Sequence, residues 1–478
     1  MNSIQPAIVL TTILFVATAR AADPQLDSWF TTASGQYARL YATDADKSSG
    51  NAVTTWSRGT LSQSTPAYCG VHEVYYSASW VYLRTSGLGS HTMGPWYLNA
   101  GHTTLFPNVP INTKTLYRIP RAPATNGTHT LTGLGAIGYF VDGVAMFDSR
   151  DAFYWNGSAE VQGSGSWNRD AWVNEGVTFD PGNAHQPGSG AYHYHANPPA
   201  LRYELGDHVD YNAATKTYSE STNAVTKHSP ILGWMRDGFP VYGPYGYSTA
   251  TNPASGVRRM ISGYTLRNGS NGADNLTTTG RTAIPAWATR ASESAATGPT
   301  VSTTYPLGRY LEDNAYLGDL INPVTGSNFV QGVDFDLNEW NTRWCVTPEF
   351  PGGTWAYFVS VSSNGTPAFP YNVSRTFFGN PTGNTTTLSE AVTTNFVGGA
   401  NSSLAMSAPV VSNNIVTLTW SATEGGTYRV EASGNLSTWT TNATGIPAVL
   451  NKGTSTTAKL ATNQFFRVTR TALATYDP

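Results

Sequence analysis

The sequence predicts a mainly β protein: a large antiparallel β domain with long loops, followed by a small C-terminal β-sandwich. Three observations carry this. Runs rich in Val, Tyr, Phe, Trp and Thr, such as residues 74–83, 137–147, 231–242 and 355–361, are punctuated by Gly, Pro, Asn and Asp. Almost no stretch shows the 3.6-residue periodicity of an amphipathic helix. Beyond residue 405 the character changes, and residues 415–420, 427–432 and 465–469 read as alternating strands between polar turns, the pattern of a sandwich.

At 478 residues the chain is too long for one ordinary core, so two or three domains are expected. Hydrophobic residues at 40% and aromatics at 12% suffice for packing, while charged residues, also 12%, are about half the usual share. A net charge of -3 supplies no basic field, which argues against nucleic acid and anionic membrane surfaces as partners.

Residues 1–21 read as a signal peptide: residues 7–19 form an apolar stretch, and Ala19-Arg20-Ala21 places small residues where a signal peptidase reads. No later stretch reaches the roughly 18 to 20 apolar residues of a membrane span. The mature chain is therefore expected to be secreted, periplasmic or at the cell surface. Residues 22–378 form the expected β domain, with a Ser-, Thr-, Ala- and Asn-rich insertion at about 268–300. Residues 379–404 have the composition of a polar linker, and 405–478 form the sandwich module. The only cysteines, Cys69 and Cys345, are expected to pair as a disulfide in an oxidising compartment, two buried thiols being the alternative.

The chain repeats itself. Residues 137–147 align without gaps on 232–242, each a hairpin turning at Asp-Gly, Asp142-Gly143 and Asp237-Gly238; that dipeptide suits a type I′ turn. A second echo pairs Gly190-Ala191-Tyr192-His193-Tyr194-His195 with Gly353-Thr354-Trp355-Ala356-Tyr357-Phe358, where Ala356 and Phe358 replace the histidines. If the two segments are equivalent, the strand does not need imidazoles, and function remains as their reason.

The tetrad Tyr192-His193-Tyr194-His195 concentrates imidazoles in a chain with 9 histidines. As a strand it puts His193 and His195 on one face, their Cα atoms about 6 to 7 Å apart, and turns Tyr192 and Tyr194 to the other. Two such rings can close on one metal ion, given a third ligand. His185, in the turn-rich loop upstream, is the first candidate; Asp180 can join it, and His208 and His228 are alternatives. Nitrogen donors favour copper or zinc over calcium or magnesium. The bland alternative is a pair of structural histidines in an aromatic sheet.

Other motifs carry less. Asp237 is a candidate carboxylate for orienting His195 as a catalytic base, but its plainer role is the turn residue, and no nucleophile is evident. Asp334, Asp336 and Asn338 alternate like a calcium loop, but Glu339 stands where an EF-hand needs Gly; capping and a salt bridge to Arg343 are the expected roles. Gly133-Leu134-Gly135-Ala136-Ile137-Gly138 matches a dinucleotide fingerprint but runs into a strand, so no helix N-terminus receives a phosphate.

The tetrad, followed by His228-Ser229-Pro230-Ile231-Leu232-Gly233 and Asp237-Gly238-Phe239-Pro240-Val241-Tyr242-Gly243-Pro244, resembles the bacterial YHYH domain. So does Arg343-Trp344-Cys345-Val346-Thr347-Pro348-Glu349-Phe350-Pro351. The resemblance spans about residues 27–378 and implies the domain boundary and a site at His185, His193 and His195, but no substrate. This chain keeps the loop histidine and lacks the cysteine that often accompanies it. Together these features predict an exported metal-binding protein, with no reaction assigned and an extracellular small molecule or glycan as partner. The alternative is a non-catalytic surface protein binding a glycan or protein through its Trp and Tyr side chains.

Overall fold

The computed structural model describes residues 22–125, 127–460 and 464–478; the expected signal peptide lies outside the described residues. The architecture is mainly β, as expected, and its centre is one eight-stranded sheet. In chain order the strands are β1 (Gly138–Phe140), β2 (Ala145–Met146), β3 (Ala184–His185), β4 (His193–Tyr194), β5 (Ile231–Met235), β6 (Pro240–Tyr242), β7 (Thr342–Cys345) and β8 (Thr354–Phe358). In space they run β3-β4-β2-β1-β5-β6-β8-β7.

The repeat read from the sequence is the symmetry of this sheet. Strands β1 and β5 pair antiparallel with Gly138 opposite Met235, Tyr139 opposite Trp234 and Phe140 opposite Gly233, a register that maps onto itself when the two hairpins are exchanged. Outward from this centre, β4 lies parallel to β2 with Tyr194 opposite Met146, and β8 lies parallel to β6 with Tyr357 opposite Val241. The two echo segments are thus structural equivalents, with Ala356 and Phe358 in the places of His193 and His195. The outermost strands complete the match: His185 on β3 faces His193, and Arg343 on β7 faces Ala356. Glycine is required at the centre for space alone, because a Cβ on Gly138 would lie 2.5 Å from the Trp234 carbonyl oxygen.

The Asp-Gly turns differ from the type I′ expectation. Positive φ falls only on the glycine, 82° at Gly143 and 88° at Gly238, as in three-residue hairpin loops. The aspartates act through their side chains: Asp142 Oδ1 accepts from Val144 N (3.1 Å), and Asp237 Oδ1 accepts from Phe239 N (3.2 Å). Asp237 Oδ2 also receives Tyr357 Oη (2.6 Å) and Gly379 N (2.8 Å).

Burial raises the Asp237 carboxyl to about 6, against which these hydrogen bonds act. Its folded pKa exceeds the unfolded value, so its favourable contribution is complete below about pH 4 and lost as pH rises through about 6. Urea midpoints across that window are expected to fall more steeply with pH in the native chain than in Asp237→Asn, by an integrated ~3 kcal/mol. Parallel slopes would show that this carboxyl is already ionised at low pH.

A second sheet of five strands packs beside the first, in the order Asn384–Thr385, Thr115–Pro120, Trp80–Thr85, Val71–Tyr76, Thr393–Val397. Both edge strands come from residues 379–404, the stretch expected as a linker. Edge pairing runs through the backbone and leaves side chains half in water, so an Asn- and Thr-rich sequence serves it well. The insertion is also tied down: Leu276 and Trp287 are buried, the latter packing with Leu311, Phe369 and Tyr371.

The expected disulfide is absent. Cys69 and Cys345 are free, buried thiols: Cys69 Sγ lies 3.2 Å from the Ala33 carbonyl ahead of strand Val71–Tyr76, while Cys345 ends β7 at the edge of the central sheet. Cys69 thus lies in the segment leading into the five-stranded sheet, and Cys345 lies in the eight-stranded one. Burial pushes both up, Cys345 to about 12, so neither is a ready thiolate.

The C-terminal part is a sandwich of two three-stranded sheets, Val410–Ser412, Ile415–Ser421 and Lys452–Ala458 against Thr440–Pro447, Gly426–Ser433 and Phe465–Leu473. Leu418, Trp420, Tyr428 and Val430 fill it. It docks on the large domain through Glu424, which accepts from Tyr37 N (2.8 Å) and pairs with Arg39, and through Asp477, which meets Lys114 Nζ at 2.6 Å. Among the described residues no helix is long and apolar enough to cross a membrane.

Candidate metal centre

Strand alternation does at β4 what the sequence predicts. Tyr192 and Tyr194 turn inward, donating to Asp180 Oδ2 (2.8 Å) and Asp142 Oδ2 (3.3 Å), and His193 and His195 share the opposite face. The preceding loop delivers the third ring. Asp180 Oδ1 accepts from Gly182 N (2.9 Å) and Ala184 N (3.2 Å), and Asn183 takes a left-handed conformation at φ 66°; the chain reverses and sets His185 opposite His193. All four oxygen contacts of Asp180, including Gly94 N at 2.8 Å, hold the loop together, so it is no ligand.

One ring nitrogen each of His185, His193 and His195 lies within 4.8 Å of the other two, a spacing that could hold a metal ion, and all three rings are buried. Each Nδ1 is held. His193 Nδ1 donates to the Ala191 carbonyl (2.8 Å) and His195 Nδ1 to the Asp148 carbonyl (2.7 Å). His185 Nδ1 meets Thr178 Oγ1 at 2.7 Å; the single hydroxyl proton goes to the Glu175 carbonyl (2.7 Å), so this Nδ1 is also the donor. The proton therefore sits on Nδ1 in all three rings, and the three Nε2 lone pairs converge. His193 Nε2 and His195 Nε2 face each other across 3.0 Å. Burial, and for His185 and His193 also neighbouring imidazoles, holds all three below the ordinary histidine range.

Sequence reasoning missed Glu175. It ends the short helix Ala171–Glu175, and its Oε2 lies 3.3 Å from His195 Nε2 and 3.7 Å from His185 Nε2. The helix is capped by Asp170, whose carboxylate receives Tyr371 Oη at 2.8 Å from 201 residues away. Burial first, then the Asp151 charge, raises the Glu175 carboxyl to about 8. The group opens into a pocket of about 170 Å³ whose apolar walls include Phe106, Leu134 and Phe147, the last stacked on His193 at 3.8 Å.

The other candidates are placed elsewhere. Asp237 does not reach His195: its oxygens serve the β5–β6 turn and Tyr357, and the Asp148 carbonyl orients His195 instead. His208 packs edge-on against Tyr245, and His228 lies among Tyr242, Tyr247 and Phe358 beside the second repeat. In the calcium-like run, Asp336 is taken up by Arg258 (2.6 and 2.9 Å), Asn338 Oδ1 by Trp340 N and Thr342 N, and Glu339 by Arg290. Asp336 to Arg343, the expected salt bridge, measures 3.4 Å.

No curated protein and no solved structure matches the chain. The family described as "YHYH protein" matches residues 116–371, which include both hairpins, the histidine triad, Glu175 and β8. That match spans more than half of the 478 residues, and the chain belongs to the YHYH protein family.

Proposed function

We propose that this chain is an exported metal-binding protein in which His185, His193 and His195 hold one zinc or copper ion. One observation carries the reading: two imidazole lone pairs point at each other across 3.0 Å with both Nδ1 protons committed to carbonyls. That contact is repulsive unless a cation lies near both nitrogens. A proton shared between the rings would charge a pair whose burial disfavours charge. Purely structural histidines leave the facing lone pairs unexplained.

The donor set fits the ion. Metal–nitrogen bonds of about 2.0–2.1 Å in a tetrahedron separate nitrogens by roughly 3.3 Å, close to the 3.0 Å of the first pair and within the 4.8 Å limit of the whole group. Three imidazoles beside one carboxylate suit zinc or copper rather than calcium. Fixing each ring through Nδ1 is the usual outer support of metal-bound histidine.

A zinc or copper ion held by three protein ligands supplies a Lewis acid and an open position. Here that position would face the pocket. Glu175, whose raised carboxyl would ionise once a cation lay beside it, would then accept a proton from a molecule lodged there, and Phe106, Leu134 and Phe147 would exclude water and admit a small, partly apolar extracellular substrate. Zinc would direct the site to hydrolysis and copper to an oxidative step.

Elemental analysis tests the reading directly. Protein purified from the exported fraction, or loaded with either metal at neutral pH and desalted, is expected to carry about one ion per chain, as a three-histidine site does. A content near zero with both metals overturns it.

A further inference from the structure

The pocket beside the three imidazoles also holds a guanidinium. Arg150 opens the strand Arg150–Trp155, opposite Asp170, and its side chain is 2% exposed. Nε and Nη2 donate to Asp148 Oδ2 at 2.9 and 2.7 Å, and Nη2 also donates to the Thr132 carbonyl at 2.9 Å. Three of the five guanidinium donors are spent in this way.

Both hydrogens of Nη1 remain. Among the described residues nothing accepts from Nη1, yet this nitrogen is not sealed from solvent. Because Arg150 is otherwise buried and lines the pocket, the pocket is where Nη1 emerges. A charged donor already fixed by a buried ion pair loses little freedom when a ligand takes it up.

The rest of the lining decides what this donor meets. Asp148 is matched by Arg150 itself, and Asp151 receives Arg169 Nε at 2.6 Å, so neither carboxylate stands unpaired against an anion. Glu175 stands at the imidazole end, 3.3 Å from His195 Nε2. Phe106, Leu134 and Phe147 supply the apolar surface of a pocket of about 170 Å³. An apolar cavity of about 150 Å³ admits a benzene ring.

We propose that this pocket takes a small monocarboxylate whose apolar body is the size of a benzene ring, the carboxylate held by Arg150 Nη1 and the body by Phe106, Leu134 and Phe147. This names the substrate class of the site described under the proposed function, and rests on that reading for the place of the chemistry. A hydrogen bond between two charged groups is about twice as strong as a neutral one, so Arg150 selects the acid over a neutral molecule of the same shape.

Isothermal titration of the full chain with benzoate tests it, on zinc-loaded protein and on protein stripped by a chelator. Saturable binding is expected in both states. Benzamide has nearly the same shape without the charge and is expected to bind about tenfold or more weakly. Arg150→Lys keeps a cation beside Asp148 but lacks the Nη1 arm; it is expected to weaken benzoate about 10- to 100-fold at unchanged metal content. The benzamide comparison uses the native chain, so it decides the matter even where Arg150→Lys fails to fold. No saturable binding of benzoate, equal affinity for benzamide, or full affinity in folded Arg150→Lys overturns the proposal. Binding confined to the zinc-loaded state and indifferent to Arg150 puts the carboxylate on the ion, and overturns it as well. The metal reading fails separately, on elemental analysis, and benzoate binding to the metal-free chain stands or falls without it.

Discussion

Replacing His193 and His195 together by alanine is expected to reduce the metal content from about one ion per chain to almost none, since a single imidazole is a poor site. The fold should survive, and the chain itself shows why. β8 occupies the equivalent place with Ala356 and Phe358, so this backbone accepts an alanine and an apolar ring at those two positions. His193→Ala with His195→Phe is therefore the better-packed variant: it copies the second repeat and keeps a ring beside Phe147 and Phe179, where His195 now sits at 5.9 and 6.0 Å. Thr178→Val should act more gently. It removes the acceptor that fixes His185 Nδ1 at 2.7 Å, and loss of such outer support weakens metal affinity by about 10- to 100-fold. Elemental analysis and a chelator competition give the metal values, and urea unfolding checks the fold. Retention of one ion per chain by either double variant, folded, would place the metal elsewhere.

The parts of this molecule that the sequence revealed are those governed by short-range rules. Period-two alternation correctly separated His193 and His195 from the two tyrosines, because a strand side chain has only two faces. The Asp-Gly hairpins aligned without gaps, and that alignment proved to be the symmetry of the central sheet. It also exposed the histidines as additions to a strand that folds without them. Turn type was misjudged, since the dipeptide allows type I′ but the aspartate side chains cap the following backbone instead.

What stayed hidden depends on contacts distant in the chain. Glu175 sits ten residues before His185, on a five-residue helix with no amphipathic signature. Its approach to the rings is fixed by Tyr371 gripping Asp170, a pairing no local pattern announces. Residues 379–404 looked like linker because edge strands bury backbone rather than side chains. The cysteines looked like a pair because only composition and compartment were available to judge them, and neither says that one thiol precedes a strand of the second sheet while the other ends a strand of the first.

The largest stability effect is expected at Arg202, in the helix Pro199–Glu204 that follows the tetrad. Arg202 is wholly buried. It donates to Asp207 Oδ2 (2.6 Å) and Asn197 Oδ1 (3.0 Å), and forks onto both oxygens of Glu220. Asp207 and Glu220 are themselves 3% and 11% exposed, so the cation is what allows two carboxylates to be enclosed together. Arg202→Met keeps much of the volume and removes the charge. It should cost about 3–5 kcal/mol, because the uncompensated carboxylates, more than the lost hydrogen bonds, set the size of the effect. Adding Asp207→Asn and Glu220→Gln should recover part of that loss, even though three native side chains are then gone, since a neutral cluster carries no desolvation penalty for charge. Urea unfolding at pH 7 measures both variants. A cost below about 1 kcal/mol for Arg202→Met would mean that Asp207 and Glu220 escape to water when released, and the helix after the tetrad would then be held by packing alone.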